Sequence, residues 1–141
     1  IKSNYGKAAF FTEVFKDFTE TLSKEYKKLV ELNVSLIEFV RRYLGISTPV
    51  IRASSVTEGK GSDLILELCI KRNAKRYLSG PDGRNYLKLD EFQKNNIEVR
   101  YHDYVHPQYR QLRGPFISHM SIIDALFNYG KSAIEIIKGK V

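Results

Sequence analysis

The stretch that decides the fold is Tyr77-Leu78-Ser79-Gly80-Pro81-Asp82-Gly83-Arg84-Asn85-Tyr86-Leu87. The stretch begins with apolar residues, is interrupted by glycine and proline, and then becomes apolar again. This pattern predicts a strand that ends in a tight loop. Gly80 and Gly83 allow close backbone approaches, and Pro81 fixes its own φ. Because α/β proteins place binding sites on stiff loops that follow strands, this loop is the first candidate for a site.

Two further segments predict strands parallel to Arg76–Ser79. Residues 48–53 are short and β-branched with a proline near the start, and residues 97–101 alternate between apolar and polar side chains. Helices over 62–70 and 90–95 would join the three strands. Each helix and the two strands that it joins form a βαβ unit, and the two units share the middle strand. This arrangement predicts an α/β fold, with a small three-stranded parallel Rossmann-like sheet and flanking helices.

An αα-hairpin is predicted before the sheet. Residues 6–23 carry an aromatic stripe at helical spacing, which is typical of core. Residues 24–44 carry a second apolar face, with Ser23 as the expected N-cap and Gly45 as the glycine that ends the helix.

The C-terminal part predicts a long loop followed by helices. Residues 102–120 match neither a helix nor a strand, and an ordered loop this long is usually functional or a lid. After it, Ser118 or Ser121 is expected to cap a helix. Gly130 would end this helix, and Ser132 would begin the last one.

Length and composition predict one domain over residues 1–141, of ordinary globular character, with 43% hydrophobic and 28% charged residues. No apolar run approaches the roughly 20 residues that a membrane span needs. The single cysteine, Cys69, excludes an internal disulfide and is expected to be a buried thiol, which favours a cytoplasmic location. Since the chain starts at Ile1, we expect it to be part of a longer protein.

The net charge of +7 lies mostly after residue 70, on both sides of the Ser79–Gly83 loop. This distribution predicts an electropositive mouth that suits the phosphate or carboxylate of an anionic small molecule. The alternative is a basic surface that is simply solvated. The sequence contains no lysine- or arginine-rich run and no recognisable nucleic-acid-binding module, so we do not expect nucleic acid as a partner.

Loops that follow parallel strands emerge at one edge of a sheet, so we expect their polar residues to converge there. The candidate substrate-binding residues are Ser54, Ser55, Ser62, Ser79, Gly80, Gly83, Arg84, Tyr109 and Gln111. Hydroxyls at a helix start offer donors to an anion, and Arg84 could bind one with two hydrogen bonds. Alternatively, the same residues are turn formers and caps.

The sequence contains no complete catalytic motif. Gly59-Lys60-Gly61-Ser62 lacks the order of a phosphate-binding P-loop, and no nucleophile elbow is present. His102, His106 and His119 with Asp103 could suggest a metal. Two histidines four residues apart before a proline in a loop are a weak signal, so we expect no metal and no cofactor.

Two residues are nevertheless candidates for a catalytic role. His106 could act as a general base near neutral pH, or could instead hydrogen-bond within its own loop. Asp124 is a lone acid among apolar residues. It either orients the loop through hydrogen bonds or takes part in the chemistry.

Several motifs together resemble the WbqC-like protein family. They are Leu44-Gly45-Ile46-x-Thr48, Ser54-Ser55, Tyr77 to Leu87, Phe92, Ile97-x-Val99, His106-Pro107-x-Tyr109-x-Gln111, Phe116, and Ser121-Ile122-Ile123-Asp124-x-Leu126-Phe127-Asn128-x-Gly130. They occur in the family's order and run through most of the chain. The family's N-terminal block, a Gln-Pro-x-Tyr-Phe-Pro-like motif, is missing, so the resemblance covers its C-terminal two thirds.

The resemblance implies a cytoplasmic, transferase-type enzyme of bacterial surface polysaccharide (O-antigen, lipopolysaccharide) biosynthesis. It further implies transfer of a glycyl or related acyl group to a nucleotide-linked amino sugar. Because the missing block would supply further strands, the sheet would expose an edge through which the chain could form oligomers. The alternative is a non-catalytic binding or assembly module.

Overall fold

Two parallel strands and seven α-helices form in residues 1–139, the part of the chain that the computed structural model describes. The chain divides into two units. The helical unit comprises Ile1–Thr48 and His106–Val141, and the strand unit comprises Pro49–Val105. That residues 1–141 form one domain stays a prediction.

The helical unit contains five α-helices and one 3-10 helix. They are α1 (Lys2–Tyr5), α2 (Phe11–Leu22), α3 (Leu29–Tyr43), α6 (Ile122–Tyr129), the 3-10 helix Gly130–Ser132 and α7 (Ala133–Ile137). The strand unit contains the two strands, two α-helices and two 3-10 helices. They are the 3-10 helix Ala53–Ser55, α4 (Gly61–Lys71), β1 (Arg76–Ser79), the 3-10 helix Pro81–Asn85, α5 (Leu89–Lys94) and β2 (Glu98–Tyr101).

Helices α2 and α3 form the expected αα-hairpin. Phe18 faces Phe39 with ring centroids 6.0 Å apart, and the Tyr43 hydroxyl donates to the Glu13 carboxylate at 2.9 Å, so the two helices run antiparallel. Gly45, with a φ of +68°, follows α3 as predicted.

The expected start of the second helix is wrong, because α3 begins at Leu29 and not after Ser23. The carboxylate of Glu31 accepts the backbone N–H groups of Lys27 and Lys28, at 3.0 and 3.3 Å. These bonds satisfy donors in front of the first helical turn. The charged segment before Leu29 therefore serves as a connection between the two helices.

The aromatic stripe of α2 is core, as expected. Phe127 of α6 is fully buried, and the rings of Phe11 and Tyr5 each lie 5.1 Å from it. Val14 and Leu126 are also fully buried in this cluster. Burial of a large side chain stabilises by about 1.5–3 kcal/mol, so these contacts hold α2 to α6.

The strand unit is built on one parallel pair. β1 spans the predicted residues, and β2 pairs with it from Arg76 opposite Glu98 to Ser79 opposite Tyr101. Phe92 of α5, fully buried, packs with Ile97 and with the buried Cys69. The expectation of a buried thiol is confirmed, and burial raises the pKa of Cys69.

The predicted three-stranded Rossmann-like sheet is wrong. Among residues 1–139 only β1 and β2 are strands, and the protein is a mostly helical, mixed α/β structure with a two-stranded parallel sheet. Residues 48–53 are mainly irregular, and Val50 and Ile51 are 53% and 47% exposed. A β-branched run becomes a strand only where a neighbour can pair with it, and Pro49 offers no N–H.

The C-terminal helices follow the prediction. Ser121 stands at the N-cap position of α6, and the helix ends before Gly130, whose φ is +58° and ψ is −136°. A Cβ at Gly130 would lie 2.5 Å from Cδ1 of Phe10. Both the backbone conformation and the close approach therefore require glycine here.

Replacing Gly130 by alanine is expected to lower the free energy of unfolding by about 2–4 kcal/mol, because backbone strain and the clash with Phe10 add up. Gly45→Ala is the matched control. Gly45 also has a positive φ, but nothing lies within 4 Å of its Cβ position, so about 1–2 kcal/mol is expected. Chemical denaturation measures both. Equal losses would show that the contact with Phe10 contributes nothing.

Candidate functional site

The C-terminal ends of β1 and β2 bring a set of polar residues together, which we call the strand-end cluster: Ser79, Gly80, Gly83, Arg84, Tyr101, His102 and Asp103. Since the strands are parallel, Ser79 and Tyr101 pair at the same edge of the sheet. The backbone N–H of His102 donates to the Ser79 carbonyl at 3.0 Å, which continues the pairing beyond β2. The loop of β1 and the residues after β2 thus share one edge.

The loop after β1 is tightly folded because Gly83 comes very close to Ser79. The Gly83 N–H donates to the Gly80 carbonyl at 3.1 Å, and a Cβ at Gly83 would lie 2.0 Å from the Ser79 Oγ. Ser79 is 1% exposed, and its hydroxyl donates to the Gly80 carbonyl at 3.0 Å. In this structure the Ser79 hydroxyl is therefore buried beneath the turn and bonded to the neighbouring carbonyl.

Arg84 is the exposed cation of the strand-end cluster. Its guanidinium lies over the ring of Tyr101, with Cζ 4.3 Å from the ring centroid, and its Nη2 donates to Oδ1 of Asp103 at 3.2 Å. The sequence did not indicate Tyr101 or Asp103 as neighbours of Arg84, and it indicated Asp103 only as a possible metal ligand. The signal that could have found them is the end of β2, where Tyr101 pairs with Ser79 and Asp103 follows two residues later.

Most basic residues near the loop have acidic partners. The ion pairs are Lys71–Glu67 at 2.6 Å, Arg76–Glu98 at 2.8 Å, Lys88–Asp63 at 2.9 Å and Arg84–Asp103 at 3.2 Å. All eight side chains are exposed, and such pairs contribute about 0–1 kcal/mol each. The basic residues in these pairs are thus mostly part of a solvated surface. Arg84 differs from the others because its guanidinium stacks on the ring of Tyr101.

The other serines predicted in the strand unit lie elsewhere in it. Ser54 and Ser55 belong to a 3-10 turn and not to a strand end, and they line a cavity of about 440 Å³ together with Glu67 and Lys71. Ser62 lies in the first turn of α4, where its hydroxyl accepts the Lys88 N–H at 3.0 Å.

In the helical unit two of the four candidates, Tyr109 and Gln111, contact a third, Asp124. This carboxylate is 4% exposed, and it accepts hydrogen bonds from the Tyr109 hydroxyl at 2.7 Å and from the Gln111 amide at 3.2 Å. Gln111 also exchanges two hydrogen bonds, each 2.8 Å, with the backbone of Ile117. Buried carboxylates are stable where donors satisfy them, and these donors fix the long loop. The contacts are those of a loop-orienting residue.

His106, the fourth candidate, belongs to an aromatic cluster that includes Tyr109. Its ring centroid lies 6.2 Å from that of Tyr109, 5.7 Å from Phe116 and 5.3 Å from His119. Its Nδ1 is 3.0 Å from the carbonyl of Pro107, the contact that the alternative interpretation expected. The general-base role of His106 stays a prediction.

The described residues contain no group of three or more histidine, cysteine, aspartate or glutamate side chains that could hold a metal ion. Nor does any helix in this part of the chain have the length and apolar character needed to cross a membrane.

Asp124 also shifts the ionisation of two tyrosines. Burial, together with the neighbouring carboxylate of Asp124, raises the pKa of Tyr5 to about 12 and raises that of Tyr109. Tyrosine in an unfolded chain ionises near pH 10. The folded protein therefore keeps these phenols neutral above pH 10. The resulting stability is fully present below about pH 10 and is lost as the pH rises through the raised pKa of each tyrosine, about 12 for Tyr5.

Asp124→Asn is expected to lower the pKa of Tyr5 and Tyr109 only partway toward 10, because burial is the larger cause and remains. Tyrosinate absorbance against pH measures this, with Tyr5→Phe and Tyr109→Phe assigning the two transitions. Tyr43 is an internal reference, since its pKa is raised by burial and by Glu13. Identical curves for the variant and the parent protein would contradict the role given to the carboxylate.

Comparisons with known proteins agree with the motifs. The model of the WbqC-like protein family matches residues 1–136. The chain is also similar to a Mycobacterium tuberculosis protein named "Uncharacterized protein Rv1507c", with 34% identity over 137 residues, which cover 94% of this chain and 59% of the relative. No solved structure gave a significant match. Since the family model covers nearly the whole chain, the protein is a member of the WbqC-like protein family.

Proposed function

We propose that the strand-end cluster binds the anionic group of a nucleotide-linked amino sugar, and that the chain is part of a transferase of bacterial surface polysaccharide (O-antigen) biosynthesis. The observation that carries this proposal is the Arg84 guanidinium, exposed at the C-terminal edge of two parallel strands. Ligands of open α/β sheets bind at this edge, and arginine is well suited to phosphate.

The weakness of the contact between Arg84 and Asp103 supports the proposal. The two side chains are 48% and 79% exposed and share one hydrogen bond. A surface pair of this kind contributes about 0–1 kcal/mol, whereas hydrogen bonds from a guanidinium to a phosphate are charge-assisted and can be bidentate. An incoming phosphate can therefore replace the carboxylate.

Family membership supports the class of reaction that we propose, acyl transfer to an amino group. In such a step the amino nitrogen of the sugar attacks the carbonyl carbon of an activated glycyl or related acyl donor. The new C–N bond forms as the bond to the donor's leaving group breaks, and a base takes the amine proton. Because the chain spans 59% of its curated relative, this reaction is proposed for the whole protein.

The catalytic roles of His106 and Asp124 stay predictions. The hydrogen bonds of Asp124 to Tyr109 and Gln111 favour a positioning role for it. His106 is half-buried within its ring cluster, and its imidazole is the side chain most often used as a general base.

Arg84→Ala is expected to weaken binding of inorganic pyrophosphate and of nucleotide-linked amino sugars about ten- to a hundredfold, since a charge-assisted contact is lost. Stability should change by less than about 1 kcal/mol, because only an exposed pair is removed. Isothermal titration calorimetry of the full chain measures binding, and thermal unfolding measures stability.

Arg100→Ala is the matched control. Arg100 is likewise exposed and paired with an acid, Glu98, but it lies in the middle of β2 and not at its end. Its loss should leave binding within about twofold. Equal losses of affinity for both variants would show that Arg84 acts only through the net positive charge of the surface. A wild-type chain that binds none of these ligands would overturn the proposal. Ligand binding by the whole protein without turnover by any acyl donor would instead favour the binding module.

A further inference from the structure

The strand-end cluster already holds an anion against Arg84. Oδ1 of Asp103 accepts one hydrogen bond from Nη2, and within residues 1–139 this is the only ion pair that Arg84 forms. A guanidinium carries five N–H donors, so most of its capacity is left for a second acceptor. Asp103 follows the end of β2 in irregular backbone and is 79% exposed, so its carboxylate can turn to solvent at little cost.

The other neighbour of Arg84 is held in place. Tyr101 is half-buried, and it is fixed in β2 by its pairing with Ser79. Because the guanidinium lies over the ring of Tyr101, the ring constrains the plane in which the N–H donors point. Stacking of this kind is retained when the partner carboxylate leaves, since it does not depend on Asp103.

We infer, resting on the proposed function, that Tyr101 and Asp103 are the positioning residues of this anion site. The ring of Tyr101 orients the Arg84 guanidinium, and the Asp103 carboxylate occupies the place that the ligand's phosphate takes. Binding is then an exchange of one anion for another on a guanidinium whose orientation is already set. A phosphate gains charge-assisted bonds that a single exposed carboxylate does not provide.

The hydroxyl of Tyr101 allows the ring to be tested separately. It is buried and has no hydrogen-bond partner among the described residues. Removing an unpaired buried hydroxyl does not cost a hydrogen bond, so Tyr101→Phe should fold as well as the parent protein. This variant keeps the aromatic face, whereas Tyr101→Leu removes it.

The test is calorimetric titration of the full chain with inorganic pyrophosphate at low ionic strength, where surface charges are least screened. Asp103→Asn should bind pyrophosphate about two- to fivefold more tightly, because the competing charge is removed. Tyr101→Leu should bind about three- to tenfold more weakly, and Tyr101→Phe should stay within twofold of the parent. A purely structural role for Asp103 would give weaker binding of Asp103→Asn, or no change.

The possible outcomes separate this inference from the proposed function. If Arg84→Ala loses pyrophosphate while Asp103→Asn and Tyr101→Leu bind like the parent, Arg84 remains the anion-binding residue and the inference is overturned. If Tyr101→Phe loses binding as strongly as Tyr101→Leu, the hydroxyl and not the ring acts, which also overturns it. A parent protein that binds no pyrophosphate and no nucleotide-linked sugar overturns both.

Discussion

The parallel pairing of Ser79 with Tyr101 is the constraint on which the strand unit and its candidate site depend. It brings the loop after β1 and the residues after β2 to the same edge, although they lie about twenty positions apart in sequence. The loop can turn so sharply only because Gly83 has no side chain where the Ser79 hydroxyl lies. The sharp turn leads directly to Arg84, which lies over the ring of Tyr101. The proposed anion site is thus a consequence of strand register.

In the helical unit a single buried carboxylate has the corresponding role. Asp124 lies on α6, between apolar neighbours, and its position is tolerated because Tyr109 and Gln111 donate to it. The same bonds tie a long irregular loop to a helix that is otherwise held by Phe127 and Leu126. Apolar packing fixes α6, and the hydrogen bonds of Asp124 fix the loop that carries Tyr109 and Gln111.

Local patterns predicted the elements that local physics determines. The span of β1, the αα-hairpin, the end of α6 at Gly130 and the loop-orienting contacts of Asp124 all follow from spacing, caps and turn residues. The prediction of a third strand was wrong because Val50 and Ile51 have no strand beside them in the part of the chain that the structure describes, and strand pairing is not a local property. The start of α3 failed because a glutamate inside the helix satisfied donors in front of it.

The candidate site was predictable only in part for the same reason. The glycines and Arg84 stand out within one continuous stretch. Tyr101 and Asp103 become relevant only once the register pairs Tyr101 with Ser79 and so brings Asp103 to Arg84. Ser54 and Ser55 were expected at the same edge because they follow the predicted strand over residues 48–53. Since these residues do not form a strand, that expectation no longer holds.

The burial of Cys69 has a practical consequence. The thiol lies against Phe92 and Ile97 in the interior of the strand unit, and burial raises its pKa, whereas thiol-directed reagents react with the nucleophilic thiolate. Since the chain contains no second cysteine, labelling by a thiol-directed reagent reports on this one position. The rate at which Cys69 is labelled therefore measures how often that interior opens, without an introduced probe.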